Sequence, residues 1–363
     1  MQQTKTKGCA MKIGIPRERK ALEGRVALVP AAVRELTADG AQVLVETGAG
    51  IKAGFADADF VAAGAGIVSS LEEVYACDLV VKVKEPQPEE FPLLRSGLQL
   101  FCYLHLAACP DVLRQLLEKK VTAFAFETLT IGGRLPLLAP MSAIAGRIAV
   151  QIGMHYLQQP EGGAGLLLGG VMNTPPGKVV ILGAGTAGSH AAVMASALGA
   201  DVWVLDQSEA ALEALHSQHR IINCLRHDER ALAMLLPDTD LLIGAVLLPG
   251  AEAPQLVSRA LLAKMPKGRV VVDIAIDQGG CIEGIRATDW RAPLYWEDGL
   301  GFAAVTNMPG AVPRTSAQAL SRAILPHVRF LATGDWKMDK IFQSALATEN
   351  GQIRHPALRA VQG

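Results

Sequence analysis

Three kinds of side chain in the first third of the chain carry chemistry that a small carboxylate substrate needs. Arg25 can hold a carboxylate through two parallel hydrogen bonds, because its guanidinium is a planar fork. Lys82 or Lys84, near the end of an apolar run, can polarise a carbonyl oxygen. His105 follows another apolar run, and a pKa near neutrality suits an imidazole to proton transfer. Each also has an ordinary interpretation (a solvated arginine, a solvated sheet edge, a structural histidine), so the prediction rests on the set.

A glycine pattern in the second half predicts a dinucleotide site. Gly183, Gly185 and Gly188 form G-x-G-x-x-G between a predicted strand at 178–182 and a predicted helix. An acid, Asp206, follows about 20 residues on, as the full dinucleotide pattern requires. The glycines predict a tight turn, a close backbone approach to the pyrophosphate, and close packing of helix on strand. The helix N-terminus favours phosphates. Asp206 would bind the ribose hydroxyls and repel a 2′-phosphate, which favours NAD over NADP; an ordinary glycine-rich turn is the alternative.

Loops after later strands also belong to this prediction, because ligands of open parallel sheets bind beyond the carboxyl ends of the strands. Segments 246–250, 275–280 and 306–309 have the Gly and Pro content of shaped loops. Asp277 directly follows an apolar strand and is a candidate acid or base, with a turn or helix-capping aspartate as the alternative. An arginine, a lysine and a histidine beside a nicotinamide site form the set that reduction of a 2-oxo acid by NADH would use.

Alternation of short apolar runs with helical patterns predicts βαβ units and largely parallel sheets. The fold class expected is α/β, with two Rossmann-like doubly wound domains of which the N-terminal, catalytic one is discontinuous. The predicted domains are residues 1–139 (substrate and catalysis), 140–316 (NAD binding) and 317–363 (returning to the first domain). The predicted strands are 12–15, 42–46, 79–83, 99–104, 122–126, 178–182, 201–205, 241–245, 269–274 and 303–305. The predicted helices include 30–37, 110–119, 142–158 and 316–332.

Composition excludes several classes of protein. The 363 residues carry a net charge of -1, which argues against a polybasic binder of nucleic acid or membranes. A mean hydropathy of +0.27 raises the question of a membrane span. The longest uncharged stretch, 179–200, is instead typical of a strand, a turn and a small-residue helix. The first ten residues lack the apolar region of a secretory signal, so we expect a cytoplasmic protein whose six cysteines are reduced. His216 and His219 lack further clustered ligands, and no metal is expected.

Longer motifs carry a resemblance to a known family, in order along the chain from Met11 onward. They are KIGIPRERK (12–20), GRVALVP (24–30), VVKVKEP (80–86), YLHLAA (103–108), LPLLAPMSAIAGR (135–147), VVILGAGTAG (179–188), LLIGAVLLPG (241–250), VVVDIAIDQGGC (270–281) and NMPGAVPRTS (307–316). The chain resembles the alanine dehydrogenase and NAD(P) transhydrogenase alpha-subunit family, and within it the alanine dehydrogenases. The resemblance implies reversible, NAD-dependent oxidative deamination of L-alanine to pyruvate and ammonium by a homohexamer.

The resemblance also implies residue roles. Arg25 binds the substrate carboxylate, and Lys84 contacts the carboxylate and the reacting oxygen. His105 is the acid and base, Asp277 orders ammonia or water, and Asn307 touches the substrate. The implied cofactor contacts are Ser142, Thr186, Ala187, Asp206, Val246, Leu247, Ile274, Ala275, Ile276, Asp277, Val305, Thr306, Asn307 and Met308, beside the glycines Gly183, Gly185 and Gly188.

The sequence departs from the family pattern on the adenine side. Ala211 stands where a basic residue is common, and His227 or Asp228 stands where a serine is common. The loop 169–174 and the pair Gly301-Phe302 also differ. Three alternatives remain at this point: a transhydrogenase-like NAD(H)-binding subunit, a non-catalytic NAD-binding protein of the same fold, and a dehydrogenase of another small amino acid. The retained arginine, lysine, histidine and aspartate argue against the first two.

Overall fold

The computed structural model describes residues 11–246, 253–333 and 335–362. Two compact units divide the chain: unit 1 comprises Met1–Met141 and Val312–Gly363, and unit 2 comprises Ser142–Ala311. Each unit has one sheet with helices between its strands, and the α/β, doubly wound fold class predicted from the sequence is confirmed.

The elements follow in chain order. The first segment contains β1 (Lys12–Ile15), α1 (Pro30–Ala38), β2 (Gln42–Glu46), α2 (Asp57–Ala62), β3 (Gly66–Val68), α3 (Leu71–Tyr75), β4 (Leu79–Val81), β5 (Gln99–Cys102), α4 (Pro110–Glu118), β6 (Thr122–Ala125) and the start of α5 (Ala139–Tyr156). Unit 2 contains β7 (Lys178–Leu182), α6 (Thr186–Ala197), β8 (Asp201–Asp206), α7 (Glu209–Gln218), β9 (Asn223–Arg226), α8 (Glu229–Leu235), β10 (Leu241–Gly244), α9 (Arg259–Leu262), β11 (Val270–Asp273), β12 (Tyr295–Glu297) and β13 (Leu300–Ala303). The last segment contains α10 (Pro313–Leu331), α11 (Lys340–Ala345), β14 (Leu346–Glu349), β15 (Gln352–Ile353) and α12 (Pro356–Gln362).

The sheet of unit 1 has the strand order β15-β14-β6-β5-β4-β1-β2-β3. Its strands β1 to β6 are parallel. Strands β2 and β3 lie on one side of β1 and strands β4, β5 and β6 on the other, so the switch point of the strand order lies between β1 and β4. The returning segment adds β14 antiparallel to β6, with β15 as its hairpin partner. Ser321 of α10 accepts a hydrogen bond from the backbone N–H of Val29, 3.0 Å away. The C-terminal segment therefore completes the first unit, as the discontinuous domain requires.

The sheet of unit 2 has the order β12-β13-β11-β10-β7-β8-β9. All neighbouring pairs are parallel except β12 with β13. Leaving β12 aside, this is the Rossmann order, and its switch point lies between β7 and β10. Both units thus place the loops that follow their central strands at the carboxyl edge of a sheet, where such folds bind ligands.

Burial of the central strands on both faces explains the hydropathy of the chain. Strands β4, β10 and β11 are buried along their whole length, and such strands have continuous apolar sequences. Residues 179–200 lie in β7, a turn and α6, as predicted. No helix within the described ranges has the length and hydropathy that crossing a bilayer requires. The five cysteines among the described residues are free thiols.

Several strands end earlier in the structure than the sequence predicts. Strand β4 ends at Val81 and β5 at Cys102, because the backbone N–H groups of Val83 and Leu104 bond to glutamate side chains. The last parallel strand of unit 2 precedes Val305, which forms only an isolated bridge. Strands β3, β9, β12, β14 and β15 were not predicted, and they are edge strands or the neighbours of edge strands.

A buried ion pair follows β4, an interior strand between β1 and β5. Lys82 is 0% exposed, and its ammonium lies 2.9 Å from Glu90 and 3.5 Å from Glu18. It also donates to the carbonyl of Glu85 at 3.2 Å, and Tyr75 donates to Glu90 at 2.8 Å. The interpretation of this lysine pair as a solvated sheet edge is therefore wrong.

We predict that Lys82→Met lowers the free energy of unfolding by about 3–5 kcal/mol, because it leaves two buried carboxylates without their cation. Urea unfolding followed by circular dichroism measures this difference. The control Lys119→Met removes an exposed lysine next to α4 and should change stability by less than about 0.5 kcal/mol. Equal effects of the two substitutions would contradict the role assigned to the ion pair.

Candidate active site

Unit 1 brings its three candidate residues to one edge of its sheet. Arg25 lies in the segment after β1, Lys84 in the segment after β4 and His105 in the segment after β5. These strands are adjacent and parallel in the order β5-β4-β1, so their carboxyl ends meet at the same edge. The switch point between β1 and β4 is the position at which doubly wound sheets bind ligands.

Arg25 is buried, at 2% exposure, and Glu23 fixes its orientation. One oxygen of Glu23 accepts from Nε at 2.8 Å and from the backbone N–H of Arg25 at 2.9 Å. The other accepts from Nη2 at 2.6 Å, and Nη1 lies 3.1 Å from the sulfur of Met141. The interpretation of Arg25 as a solvated surface arginine is therefore wrong. Glu23 therefore occupies the Nε–Nη2 edge of the guanidinium.

The charge of this pair is strongly stabilised. Burial alone would raise the pKa of Glu23, but the guanidinium of Arg25 outweighs it and lowers that pKa to about 2. Burial would likewise lower the pKa of Arg25, but Glu23 raises it. Both groups are therefore ionised at neutral pH.

Lys84 lies at the same edge with 9% exposure, and its backbone is held by Glu18. The carboxylate of Glu18 accepts from the N–H of Val83 at 2.6 Å and from that of Lys84 at 3.3 Å. The ammonium of Lys82 is committed to its buried acceptors. Lys82 is therefore a member of the buried ion pair, and the substrate contact stays a prediction for Lys84.

His105 is exposed, so its side chain is not part of the core of unit 1. Its ring stacks on Tyr103, with ring centroids 6.0 Å apart and an interplanar angle of 12°. The phenol of Tyr103 donates to the carbonyl of Leu137 at 2.6 Å. Burial raises the pKa of Tyr103, so it stays a neutral support. An exposed imidazole on a fixed support can exchange protons with water and with a substrate.

In unit 2 the three glycines meet three different steric conditions. Gly183 has φ +106°, and a Cβ there would lie 2.6 Å from the carbonyl of Ala245. A Cβ on Gly188 would lie 1.8 Å from the carbonyl of Gly183, so only glycine lets α6 pack on β7. Gly185, at the N-terminus of α6, has nothing within 4 Å of a Cβ. The open side of the loop is therefore at Gly185, where a pyrophosphate would approach the backbone.

Asp206 ends β8 beside this loop. Its carboxylate accepts from the N–H of Ala184 at 2.6 Å and from that of Ser208 at 2.7 Å. The glycine loop and the acid are thus joined directly. The negative charge at this position disfavours a 2′-phosphate.

Asp277 lies in a 3₁₀ helix, Ile274–Gln278, directly after β11, and its side chain is exposed. The buried Asp273 shapes this loop, accepting from the N–H groups of Ala275 and Cys281 at 2.8 Å each. Burial raises the pKa of Asp273. Asp277 is therefore displayed at the carboxyl edge of the sheet, and the capping role weighed for it belongs to Asp273.

The remaining predicted contacts take varied positions in unit 2. Asn307 has φ +58°, a conformation that asparagine tolerates better than most residues. Exposed or half-buried positions are held by Ser142 in α5, Thr186, Ala187, Val246, Ile274, Ile276, Thr306 and Asn307, and buried positions by Ala275, Val305 and Met308. Leu247 lies outside the described residues. Among the described residues no cluster of His, Cys, Asp or Glu could hold a metal ion.

The adenine-side departures have local structural roles. Asp228 caps α8 by accepting from the N–H of Ala231 at 2.6 Å. The backbone N–H of His227 donates to the carbonyl of Asp206 at 2.9 Å. Ala211 lies in the first turn of α7, where its N–H donates to Ser208 at 3.2 Å. These three residues thus make local hydrogen bonds in the segments that follow β8 and β9.

Sequence models of one family match both parts of the chain. "Alanine dehydrogenase/PNT, N-terminal domain" matches residues 14–145, and "Alanine dehydrogenase/PNT, C-terminal domain" matches residues 149–356. The chain belongs to the alanine dehydrogenase/PNT family. The curated alanine dehydrogenase of Halomonas elongata is 46% identical over 360 residues, covering 97% of each chain. That of Bacillus subtilis is 44% identical over 355 residues, covering 96% of this chain and 94% of the relative.

Solved structures distinguish the two branches named in the family description. A structure titled L-alanine dehydrogenase superposes with a TM-score of 0.94 at 44% identity, covering 97% of this chain and 99% of that one. The transhydrogenase from Sinorhizobium meliloti superposes with a TM-score of 0.84 at 26% identity, covering 95% and 99%. The family predicted from the sequence motifs is confirmed, and the chain is more similar to the alanine dehydrogenase branch.

Sequence reasoning missed the carboxylates that hold the candidate site residues. Glu23 orients Arg25, Glu18 holds the backbone of Lys84, and Asp273 shapes the loop of Asp277. Glu18 and Asp273 lie in motifs that were quoted for the resemblance, and Glu23 directly precedes one. The only sequence signal was the presence of an acid in an otherwise apolar or basic segment, which does not indicate its partner.

The pKa of Glu18 generates a pH prediction. Burial raises this pKa from the ordinary 4.5 to about 7, with Lys82 opposing it. The folded protein therefore holds the proton more tightly than the unfolded chain, and the stabilisation is complete below pH 4.5 and lost as the pH rises through 7. Glu18→Gln keeps an acceptor for Val83. It should reduce the loss of unfolding free energy between pH 5 and pH 8 by about 3 kcal/mol.

Chemical denaturation at the two pH values measures this change. Glu118→Gln, at an exposed position of α4, is the control and should keep the wild-type pH dependence. A Glu18→Gln protein with the wild-type pH dependence would show that Glu18 does not titrate in this range.

Proposed function

We propose that this chain catalyses the reversible, NAD-dependent oxidative deamination of L-alanine to pyruvate and ammonium. The observation that carries the proposal is the convergence of Arg25, Lys84 and His105 at the carboxyl ends of β1, β4 and β5. The relatives at 44–47% identity named alanine dehydrogenase support the same activity. Unit 2 supplies the glycine loop and acid that a dinucleotide needs.

Substrate binding falls to the two cations of unit 1. Arg25 holds the carboxylate of pyruvate or alanine by its Nη1–Nη2 edge, since Glu23 holds the other edge in place. Lys84 contacts the carboxylate and the oxygen on the reacting carbon. Because both residues are nearly buried, their attraction for an anion is weakly screened by water. A guanidinium already fixed by a carboxylate loses little freedom when it binds.

Proton transfer falls to His105. In the amination direction, ammonia adds to the carbonyl carbon of pyruvate, and the imidazolium protonates the resulting hydroxyl so that it leaves as water. In the deamination direction the neutral imidazole accepts a proton from the attacking water. Asp277 orders the ammonia or the water. General acid–base catalysis of this kind contributes about 10²–10⁴-fold to the rate.

The cofactor assigned to unit 2 is NAD. Gly185 and the first turn of α6 would hold the pyrophosphate, and Asp206 the adenosine ribose. When bound, the nicotinamide supplies the hydride acceptor for deamination and the hydride donor for amination. The other contacts carried over by the resemblance, and the homohexamer it implies, stay predictions.

We expect the purified protein to oxidise NADH when pyruvate and ammonium are both present, with turnover that disappears when ammonium is omitted. Glyoxylate and 2-oxobutyrate, tested in parallel, report the size of side chain accepted. His105→Ala should lower kcat at least about 100-fold while changing the Kd of NADH less than twofold. Absorbance at 340 nm measures turnover, and NADH fluorescence measures binding.

These assays separate the alternatives. Normal NADH binding without ammonium-dependent turnover of pyruvate would contradict the alanine assignment. Turnover only with a larger 2-oxo acid would indicate another amino acid dehydrogenase, and hydride exchange between nucleotides alone would indicate a transhydrogenase-like protein. Equal loss of turnover and NADH binding in His105→Ala would indicate a structural histidine.

The two glycines provide a matched pair for the cofactor assignment. Gly185→Ala adds a methyl group into open space, at a φ of -68° that alanine adopts readily. It should raise the Kd of NADH at least tenfold and leave the melting temperature unchanged. Gly188→Ala places a methyl group against the carbonyl of Gly183 and should lower unfolding free energy by about 1–3 kcal/mol. Calorimetry measures the stability of the two variants, and NADH titration measures their affinity for the cofactor. An unchanged Kd of NADH in Gly185→Ala would show that the pyrophosphate does not bind at Gly185.

A further inference from the structure

His105 has a backbone conformation that residues other than glycine adopt uncommonly. Its φ is +45°, in the left-handed region, which costs a non-glycine residue about 1 kcal/mol or more. Residues held in this way persist only when neighbouring groups determine their conformation. The neighbours Leu104 and Leu106 are buried, at 0% and 4% exposure, while the imidazole between them is exposed.

Glu127 supplies that support. It lies in the 3₁₀ helix Phe126–Thr128 directly after β6, the strand that pairs in parallel with β5. One oxygen of its carboxylate accepts from the backbone N–H of His105 at 2.6 Å. The N–H of Leu104 donates to both oxygens at 3.2 Å each. Successive N–H groups that converge on one anion form a nest, a conformation that an anion stabilises.

We propose that Glu127 is the positioning residue for the acid–base group of the proposed reaction. Its carboxylate, not the packing of the imidazole, holds the left-handed backbone that presents the His105 ring on Tyr103 at the substrate edge. The proposal rests on the proposed function of His105. The bonds that Glu127 accepts come from the backbone N–H groups of Leu104 and His105, so the role assigned to it is one that acts through His105.

Geometry indicates why packing alone is insufficient. Among the described residues, the aromatic ring recorded against His105 is that of Tyr103, at 6.0 Å between centroids, in the upper half of the range of about 4.5–7 Å for aromatic pairs. The two leucines fix the path of the chain but not the peptide plane between them. Without the carboxylate, the N–H groups of Leu104 and His105 lose their acceptor, and the backbone can relax to negative φ. Such relaxation turns the imidazole away, and a displacement of about 1 Å can cost about 100-fold in rate.

The experiment is a double-mutant cycle on kcat for pyruvate amination. Glu127→Ala should lower kcat about 100-fold and leave the Kd of NADH within twofold of wild type. Glu127→Gln keeps one acceptor oxygen and should recover part of that loss. In a His105→Ala background, Glu127→Ala should change the residual rate less than twofold, because a residue that acts through His105 has no effect once the imidazole is gone.

Asp339 offers a matched control within unit 1. One oxygen of its carboxylate accepts from the successive N–H groups of Ile341 and Phe342 at 2.8 and 3.1 Å, at the start of α11. Asp339→Ala therefore removes a comparable set of bonds without touching a candidate site residue, and should lower stability but not kcat. Hydrogen–deuterium exchange adds a readout independent of activity: Glu127→Ala should speed exchange in segment 103–108, and Asp339→Ala in segment 340–345.

Each result has a definite meaning. Wild-type kcat in Glu127→Ala, or unchanged exchange in segment 103–108, would overturn the positioning role while leaving the proposed function intact. A further 100-fold loss in the His105→Ala background would show that Glu127 acts independently of His105, which also overturns it. An inactive wild-type protein that binds NADH normally would instead overturn the proposed function, and with it the catalytic meaning of Glu127.

Discussion

The pairing of charge at the carboxyl edge of a buried parallel sheet is the constraint on which the candidate site of unit 1 depends. A cation that is 0–2% exposed is too costly to keep ionised without an anion close by. Arg25 is matched by Glu23, and Lys82 by Glu90 and Glu18. Each carboxylate also accepts hydrogen bonds from backbone N–H groups. The same side chain therefore neutralises a buried cation and fixes the position of a backbone segment.

This constraint gives the acids of unit 1 a shared way of acting. Glu23, Glu18 and Glu127 each accept from the backbone of a candidate site residue: Arg25, Lys84 and His105. A loop bonded to a carboxylate has lost most of its freedom before any ligand arrives, which lowers the entropic cost of binding. In unit 2, aspartates hold loops in the same way. Asp206 accepts from the backbone of the glycine loop, and Asp273 accepts from the backbone of the loop that contains Asp277. Both sheets have the same order of parallel strands, so the differences between their carboxyl edges are decided by the loops.

Much of the fold could be predicted because its signals are local. Parallel strands buried on both faces have continuous apolar sequences, so β7 was predicted to the residue and the other central strands to within a few residues. Strands such as β9 (NCLR) and the β14–β15 pair were missed because they are short and their pairing depends on distant segments. Strands β4 and β5 were predicted too long because side-chain carboxylates take over backbone bonds that a ladder would otherwise make.

The sequence by itself determined the fold class, the family and the residue types that could do the chemistry, since glycine spacing, apolar periodicity and long motifs are properties of short segments. Only the tertiary structure decided which lysine is committed to a buried ion pair, which edge of Arg25 is occupied, and that His105 is exposed on a left-handed backbone. The outcomes for Lys82 and His105 depend on contacts with residues farther away in the chain, such as that of His105 with Glu127, 22 positions away. The orientation of Arg25 depends on Glu23, which is close in sequence but gives no sign of its partner there. The energy of a charge or a strained peptide is set by what surrounds it, and its surroundings exist only after the chain has folded.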